Sequence, residues 1–544
     1  MLKRGILLLV LVATVALPFL LRPHRAAPGE ADDTLVIITP HNEAIRHEYS
    51  IGFRDWYKAR TGRTVFLDWR MIGGTSEIAR YLEGEYVASF RNLWSGKGGR
   101  PWSAEIQSAF QNGRLPKDAP PVDREAREAF LASNASCGID LFFGGGPFDF
   151  ERQARAGRLV DSGIGRLHPE WFTEQTMPRT FGGETYWDKG GLWYGAVLSS
   201  YGILYNLDAL KRLGLAKPPE QWRDLADPRY LGQIGMCDPT KSGSIAAAFE
   251  NVIQQEMHRS LEAADAADPG GDPKAHAAQA VRQGWLHGLQ LLQLVGANAR
   301  YFTDTSQKPP IDVASGDCAA GMCIDFYGRE QQEAVRRRTS GEERLGYVSP
   351  EGGAAYSVDP IALLRGAPHP SVALAFIEYT LSLEGQKLWN FRTGAPGGPQ
   401  TFALRRLPVR RDFYSHPEWV PFRSDPETNP YSQRKVLVHE DAWTGQLFQE
   451  LSVVIRITTE DTHPELVKAW RAIIAAPEPA RSRALAVLQD LSAVDYDQSL
   501  GAIKKALTSK NLVDAIRLSR DLDEHFRRNY AKAEAIARGA ADGP

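Results

Sequence analysis

Cysteine is scarce in this 544-residue chain, which holds only four: Cys137, Cys237, Cys318 and Cys323. So small a number excludes a disulfide-built scaffold. The chain also lacks an excess of charge of either sign, since 64 Lys and Arg oppose 66 Asp and Glu and the formal net charge is −2. A chain without a general positive field is not typical of nucleic-acid-binding proteins, and we predict no nucleic-acid partner.

Motifs that indicate catalysis or nucleotide binding are missing as well. The sequence contains no G-x-S-x-G nucleophile elbow, no P-loop and no H-E-x-x-H metal motif. The glycine run at 144–146 lacks the dinucleotide-binding spacing, and we expect it to let the backbone approach a ligand or another part of the chain. These absences predict that the protein is not an enzyme and has no cofactor.

Long apolar runs are limited to one, GILLLVLVATVALPFLL at residues 5–21, which follows Lys3 and Arg4. A charged start and an apolar core are typical of a secretory signal. The run is shorter than the ~20 residues of a membrane span and contains Pro18. Cleavage after Ala16 and a retained N-terminal anchor both remain open, but either predicts a periplasmic or extracellular protein. Membrane contact is then expected only through this segment, if it is uncleaved.

Export also affects how the cysteines are interpreted. In an oxidising compartment an even number of cysteines favours one or two disulfide bonds, and we expect at least one. The alternative is four buried free thiols.

Strand and helix patterns alternate along the first part of the chain. TLVIITP, TVFLDWRMIGG and IDLFFGGGP are buried strands by pattern, with helical patterns between them, which predicts an α/β fold with a parallel sheet. Residues 84–136 interrupt the alternation and are predicted to be a surface insertion. Two extended segments, at 193–205 and 352–364, enclose a further α/β unit, so the chain must cross between two units twice. Residues 262–280 resemble an exposed loop, and the tail from about residue 436 has helical periodicity only.

Four stretches resemble a known family, in order and in spacing: TLVIITPHNE, GLWYGAVLSSYGILYN, PPEQWRDLADPRYLGQIGMCDPTKSGS and GYVSPEGGAAYSVDPIALLRGAPHPSVALAFIEYTLSLEGQ. They resemble the periplasmic solute-binding proteins of ABC importers, closest to the group with ferric-iron-binding and phosphonate-binding receptors. The resemblance covers residues 34–410 apart from the insertion.

The resemblance implies an α/β two-lobed periplasmic-binding-protein fold of type 2, with crossover hinge strands, interlobe ligand binding and an ABC permease as partner. We expect a signal or anchor at 1–30, lobe 1 at 31–197 with the insertion, and lobe 2 at 206–350. A second hinge and return to lobe 1 is expected at 351–435, and a helical C-terminal extension at 436–544.

The carboxyl ends of parallel strands meet at one edge of a sheet, where ligands bind. His41, Asn42 and Glu43 follow the first strand, and the alternative is that His41 or Asn42 only caps the next helix. A second group, Gly74, Thr75 and Ser76, follows the second strand and begins a helix, whose free N–H groups bind anions. A plain helix cap is again the alternative.

Two further groups are predicted in lobe 2. Ser242, Gly243 and Ser244 begin a helix after a strand, so helix N-termini from both lobes would together hold an anion. Asp325, Tyr327 and Arg329 follow another strand. In ferric-binding relatives an adjacent tyrosine pair near this place ligates iron, but here Phe326 precedes Tyr327, and Arg329 favours an anion.

These groups predict a receptor for a small phosphorylated or carboxylated solute. One alternative is a ferric-iron receptor with His41, Glu43, Asp325 and Tyr327 as ligands. Another is a membrane-anchored ligand sensor. We expect the protein to be a monomer.

Overall fold

The structure is a computed structural model that describes residues 31–433, 435–509 and 511–539. The predicted signal or anchor segment at 1–30 lies outside the described residues. Within these ranges, every helix is too short or too polar to cross a lipid bilayer.

The first lobe begins with alternating strands and helices, as the sequence pattern predicts. Its elements are β1 (Asp33–Ile38), α1 (Glu43–Thr61), β2 (Val65–Arg70), α2 (Thr75–Arg91), α3 (Ala104–Gln111), α4 (Pro121–Ala132), β3 (Leu141–Phe143), α5 (Pro147–Ala156), β4 (Leu159–Val160), α6 (Ile164–Leu167), β5 (Thr180–Phe181), β6 (Glu184–Thr185) and β7 (Tyr194–Ser199).

The second lobe and the return of the chain follow. Lobe 2 contains β8 (Tyr201–Asn206), α7 (Leu207–Arg212), β9 (Ile234–Cys237), α8 (Gly243–Ala267), α9 (Pro273–Ala297), β10 (Ala299–Thr303), α10 (Lys308–Ser315), β11 (Ala320–Ile324), α11 (Asp325–Arg338) and β12 (Leu345–Val348). The return contains β13 (Ser357–Leu364), α12 (Pro370–Leu381), α13 (Leu383–Asn390) and β14 (Leu407–Pro408).

Two separate mixed sheets form the lobes. The lobe 1 sheet has the order β14-β7-β13-β3-β1-β2, with β4 beside β13, and the lobe 2 sheet has the order β10-β9-β11-β8-β12. The first three strands are parallel to one another, whereas β13 and β7 are antiparallel to their neighbours. This is the two-lobed α/β architecture of type 2 that the resemblance implies.

The chain crosses between the lobes twice, and the two crossings touch. The first crossing is Ser200, between β7 and β8, and the second is residues 349–356, between β12 and β13. The Ser200 hydroxyl donates to the Ala355 carbonyl at 3.0 Å, and the Asp325 N–H donates to the Ser200 carbonyl at 2.9 Å. The crossings are therefore bonded to each other and to the start of α11.

Strand β1 is buried on both faces because helices cover the lobe 1 sheet on both sides. Leu35 and Ile37 pack into a core that also contains residues of α1, while Val36 and Ile38 pack into a second core with residues of α2. A continuous apolar run, rather than an alternating one, is what such a central strand requires.

Residues 84–136 contribute to a core rather than forming only surface. Helix α2 runs through residue 84 to Arg91, and the aromatic rings of Phe90, Phe110 and Phe130 lie within about 5 Å of one another in the second core. The loop predicted at 262–280 is mostly helical. Helix α8 continues to Ala267 and α9 begins at Pro273, because the alanines of this stretch favour helix and Asp272 caps α9.

The C-terminal extension is helical, as predicted, with α14 (Asp441–Thr444), α15 (Phe448–Arg456), α16 (His463–Ala475), α17 (Ala480–Leu488), α18 (Tyr496–Gln498), α19 (Lys504–Leu507) and α20 (Leu512–Ala537). It packs on lobe 2. The indole N–H of Trp285 in α9 donates to the Val494 carbonyl at 2.9 Å, and that of Trp470 donates to Asn298 Oδ1 at 2.9 Å.

The expected disulfide bond is absent, and this prediction is wrong. All four cysteines lie in the described ranges as buried free thiols. Cys137 belongs to lobe 1. Cys237 packs into the large core, which is the core that contains Leu35 and Ile37. Cys318 and Cys323 pack into a small core elsewhere in lobe 2. Burial raises the pKa of all four thiols, which disfavours the reactive thiolate.

Candidate functional site

A buried charge cluster lies where the two lobes meet. Its centre is the guanidinium of Arg406, which precedes β14 and has no exposed surface. Arg406 Nη1 lies 2.7 Å from Asp359 Oδ2 on β13, and Nη2 donates to the Ser199 hydroxyl on β7. The His41 ring, which follows β1, is 3.3 Å from the same Asp359 oxygen. The ion pair of Arg406 and Asp359 thus contacts His41, which follows the carboxyl end of β1, and Ser199, which precedes the first crossing.

The cluster fixes the charges of its members. Burial lowers the pKa of His41 more than Asp359 raises it, so the imidazole is neutral at pH 7. Burial alone would raise the pKa of Asp359, but the charge and hydrogen bonds of Arg406, together with His41, hold it at about 2. The cluster therefore contains one cation and one carboxylate at pH 7.

Helix α11 of lobe 2 covers this cluster from the opposite side. The Arg406 guanidinium lies 4.3 Å above the centre of the Phe326 ring, in the first turn of α11. One turn later, burial raises the pKa of Glu330 to about 8 in spite of the nearby Arg406 and Arg405. Tyr327 adjoins this pair, and burial raises the pKa of its phenol.

Several buried polar atoms at this junction have no hydrogen-bond partner among the described residues. They are Arg406 Nε, His41 Nδ1 and Glu330 Oε1. Polar atoms in protein interiors are nearly always bonded, so unsatisfied donors and acceptors on both sides of one junction are typical of a place where a polar group binds.

Two helix N-termini, one from each lobe, meet at the same junction. The cap of α2 is Gly74, and an added Cβ there would lie 2.6 Å from the Lys241 carbonyl oxygen of lobe 2. The cap of α8 is Ser242, whose hydroxyl accepts from the Ile245 N–H at 3.4 Å. The free N–H groups of both first turns are therefore directed to the interlobe boundary.

The glycine run at 144–146 explains how lobe 1 brings its two groups together. A Cβ at Gly144 would lie 2.5 Å from the His41 ring, and one at Gly145 would lie 2.5 Å from the Thr75 hydroxyl. Both glycines also have positive φ, +93° and +109°. Only glycine lets this loop pass so close to His41 and Thr75.

The structure brings His41, Gly74, Thr75, Ser242 and Tyr327 to the junction. Ser76, Gly243 and Ser244 are half-buried in the first turns of the same helices. Arg406 and Asp359 are the residues that sequence reasoning missed. They lie more than 300 residues from His41, and no local pattern distinguishes them from other charged residues.

The remaining predicted residues are engaged elsewhere or exposed. Asn42 caps α1, its side chain accepting from the Ile45 N–H at 3.1 Å, and Glu43 is exposed in the first turn of that helix. Asp325 is fully buried, with Oδ2 at 3.5 Å from Arg329 Nη1. Asp325 and Arg329 therefore neutralise each other beside the junction rather than within it.

The donor set offers little to a metal ion. In the part of the chain that the structure describes, no group of three or more His, Cys, Asp or Glu side chains is arranged to hold one. Glu43 is exposed, whereas His41 and Asp325 are buried, so Glu43 does not join them around one ion.

Part of the chain matches a known protein family. Residues 170–413 match the model of a family described as bacterial extracellular solute-binding proteins. The resemblance found in the sequence is thereby confirmed. Solute-binding proteins of transport systems are receptors and not enzymes, as predicted.

Individual relatives in sequence are distant. An uncharacterized protein of Haemophilus influenzae is 24% identical over 249 residues, 46% of this chain and 60% of its own length. The phosphoglycerate transport regulatory protein PgtC of Salmonella typhimurium is 25% identical over 191 residues, 35% of this chain and 39% of its own length. The chain thus spans less than two thirds of each relative.

Solved structures of periplasmic binding proteins are similar to this chain as well. The periplasmic binding protein AfuA of Actinobacillus pleuropneumoniae, with fructose-6-phosphate bound, has a TM-score of 0.42 at 19% identity, covering 65% of this chain and 81% of its own. The apo ferric ion-binding protein A of Pasteurella haemolytica has a TM-score of 0.45 at 11% identity, covering 78% and 97%.

Proposed function

We propose that this protein is the extracytoplasmic receptor of an ABC importer and that it binds a small phosphorylated or carboxylated solute between its lobes. The observation that carries the proposal is the meeting of two helix N-termini, at Gly74 and Ser242, beside a fully buried guanidinium with a free Nε atom. Backbone N–H groups and a guanidinium are the donors that phosphate and carboxylate groups prefer.

Each lobe contributes part of this anion site, which links binding to hinge motion. The Thr75 hydroxyl and the α2 N-terminus belong to lobe 1, while Lys241, Ser242 and the α8 N-terminus belong to lobe 2. An anion held by both is bound only when the lobes are together, so it stabilises the closed form. A permease that recognises the closed form would receive loaded receptor.

The name of the PgtC relative refers to phosphoglycerate, which carries both a phosphate and a carboxylate, and this supports an anionic solute. The ferric-iron alternative has no comparable observation in its favour. We also propose a periplasmic or extracellular location and a monomeric state.

The test replaces Ser242, the residue that caps α8. Ser242→Asp and Ser242→Asn both keep a side chain that caps the helix, because Asp and Asn are as good at this position as Ser. Only Asp places a negative charge where the solute anion would lie. We expect Ser242→Asp to lose binding at least 100-fold, and Ser242→Asn to stay within about fivefold of wild type, because two anions at ~4 Å repel by one to several kcal/mol.

The measurement uses a fixed panel of glycerol 3-phosphate, 3-phosphoglycerate, fructose 6-phosphate, citrate and ferric citrate, with calorimetric titration of every compound that raises the melting temperature. Native mass spectrometry of the purified protein adds any solute that copurifies. The proposal is contradicted if no phosphorylated or carboxylated compound binds. It is also contradicted if the Asp and Asn variants bind such a compound equally well.

A further inference from the structure

The C-terminal extension is joined to both lobes, although its helices pack on lobe 2. After β14 the chain leaves lobe 1 for the extension, and the backbone of this passage lies along the second crossing. The Gly352 N–H donates to the Lys435 carbonyl at 3.0 Å, and the Leu437 N–H donates to the Ala354 carbonyl at 3.2 Å. The passage lies beyond residue 413, where the family match ends. It therefore adds a third connection between the lobes beside the two crossings.

The start of the extension is fastened to α8 of lobe 2 by buried side chains. The Gln254 amide donates to the Thr444 hydroxyl at 2.6 Å, and the Gln254 side-chain oxygen accepts from the Glu440 N–H at 2.8 Å. The Thr444 hydroxyl donates in turn to Glu250 at 2.5 Å. Gln254 and Thr444 have no exposed surface, so breaking these bonds would leave buried polar groups unsatisfied. This part of the extension thus moves together with lobe 2.

The same stretch also contacts lobe 1, at the hairpin of β5 and β6. The backbone N–H of His439 donates to the Gly182 carbonyl at 2.7 Å. Gly182 and Gly183 form the two-residue turn of this hairpin, with φ of +55° and +79°. An added Cβ at Gly183 would overlap the His439 carbonyl group, whereas one at Gly182 would lie 3.4 Å from the Leu437 carbonyl oxygen, an ordinary contact. The hairpin is therefore tightly packed against the extension at Gly183.

A second contact between the extension and lobe 1 joins two aromatic rings. Phe448 begins α15 of the extension, Phe148 lies in the first turn of α5, and their ring centres are 4.6 Å apart. Both rings are half-buried. Aromatic pairs at this distance attract each other beyond the area that they bury. The contact lies three residues along the chain from Gly145, which packs against Thr75 of the proposed anion site.

We propose that residues 435–448 form a clamp that positions the lobes for solute binding. Fixed to lobe 2, the clamp holds lobe 1 at Gly183 and Phe148 and favours the form in which the lobes touch. Phe448 is then a positioning residue, which acts on the solute through the lobes. Lobes that are held together bind solute with a smaller cost of closing, but solute enters more slowly because the lobes must first separate.

The test measures the distance between the lobes by double electron–electron resonance. Spin labels are placed on Glu128→Cys in lobe 1 and Glu262→Cys in lobe 2, which are exposed positions, whereas the four native thiols are buried. Without added solute, Phe448→Ala and Gly183→Ala should each raise the fraction of molecules with separated lobes at least twofold.

Each variant has a matched control. Gly182→Ala introduces a side chain at positive φ in the same turn but does not overlap the extension, so it separates strain in the hairpin from loss of the contact. Phe402→Ala removes an exposed ring that contacts His47 within lobe 1. Both controls should give the distances of wild type. If Gly183→Ala does not fold, Phe448→Ala decides the question alone.

A double variant tests whether the two rings act through each other. Phe148→Ala and Phe448→Ala remove the same contact, so the double variant should have the same fraction of separated lobes as either single variant. The proposal is overturned if the two effects add, if Phe448→Ala leaves the distances of wild type, or if Gly182→Ala acts like Gly183→Ala.

Binding kinetics give a readout that a merely structural role would not change. For any compound of the solute panel that binds, Phe448→Ala should raise the rates of association and release at least threefold, and unchanged rates would also overturn the proposal. The inference goes beyond the proposed function and can fail separately from it. If no anion binds, the proposed function fails and the distances still decide about the clamp. If anions bind while the distances do not change, only the clamp is wrong.

Discussion

At the scale of single residues, the interlobe junction depends on buried charges that the fold must neutralise. Arg406 neutralises Asp359 through an ion pair of 2.7 Å, and Ser199 and His41 make further polar contacts with Asp359. A buried ion pair of this kind contributes little net stability, but removing one partner leaves an uncompensated charge. We therefore regard Arg406 and Asp359 as residues that fix the hinge geometry rather than as sources of stability.

Glu330 provides a pH-dependent prediction. Its pKa is about 8 in the folded protein because of burial, above the usual value of a glutamate. Between pH 4.5 and 8 the folded state thus holds a proton that the unfolded state has released, so stability falls as pH rises, by up to about 1.4 kcal/mol per pH unit. Glu330→Gln removes this contribution. We expect the variant to gain stability relative to wild type as pH rises from 5 to 8.

Urea unfolding of both proteins at several pH values measures this difference, because every other titrating group is common to both and cancels. Glu342→Gln, an exposed glutamate of the same lobe, is the control and should unfold in parallel with wild type. A stability difference between wild type and Glu330→Gln that does not change with pH would show that the buried carboxyl does not titrate in this range.

At the scale of single elements, the sequence predicts those that depend on local pattern. The strands β1, β2 and β3, the helix starts after Gly74 and Ser242 and the strand that ends before Asp325 are placed as expected, because apolar runs and cap residues act over a few positions. Residues 262–280 are rich in Ala and Asp, and this composition predicts an exposed loop. In the structure, long-range packing of α8 on α9 extends both helices into this stretch.

Helix α2 provides the second prediction. The φ of Gly74 is −73°, so alanine fits its backbone, but the new Cβ would lie 2.6 Å from the Lys241 carbonyl. That atom belongs to the backbone of lobe 2 and cannot move alone. Gly74→Ala should therefore push the lobes apart and weaken solute binding at least tenfold. Small-angle X-ray scattering should show a larger radius of gyration than that of wild type.

Gly84 is the matched control on the same helix. It is exposed, and no atom lies within 4 Å of an added Cβ. Gly84→Ala should stabilise the protein by about 0.5–1 kcal/mol, as expected for glycine replaced inside a helix, and leave solute affinity unchanged. If Gly74→Ala behaves like Gly84→Ala in both measurements, the lobes do not close on each other at this contact.

At the scale of the whole molecule, the two lobes and the helical extension could be expected from the order of patterns, whereas the charge cluster could not. Two extended segments on either side of an α/β unit require two crossings whatever their sequence. By contrast, Arg406 lies next to His41 only because β14 returns beside β7 after the chain has passed through lobe 2. Such contacts depend on the whole fold, and no spacing in the sequence reports them.

The extension shares the large core with lobe 2 and with one face of the lobe 1 sheet, which leads to the last prediction. Phe526 in α20 belongs to the same large core as Trp285 in α9, whereas Phe130 in α4 belongs to the second core of lobe 1. Both phenylalanines are 0% exposed, so truncation to alanine should cost each about 3–5 kcal/mol. We expect the two losses to appear in different parts of the molecule.

Hydrogen exchange followed by mass spectrometry separates these effects, because exchange reports the local free energy of opening. Phe526→Ala should raise exchange in α9 and in the extension and leave α2 unchanged. Phe130→Ala should raise exchange in α2 and leave α9 unchanged. If either variant raises exchange equally in α2 and α9, the protein unfolds as one cooperative unit. In that case the extension would stabilise lobe 1 as much as lobe 2, and the hinge would not separate two independently stable parts.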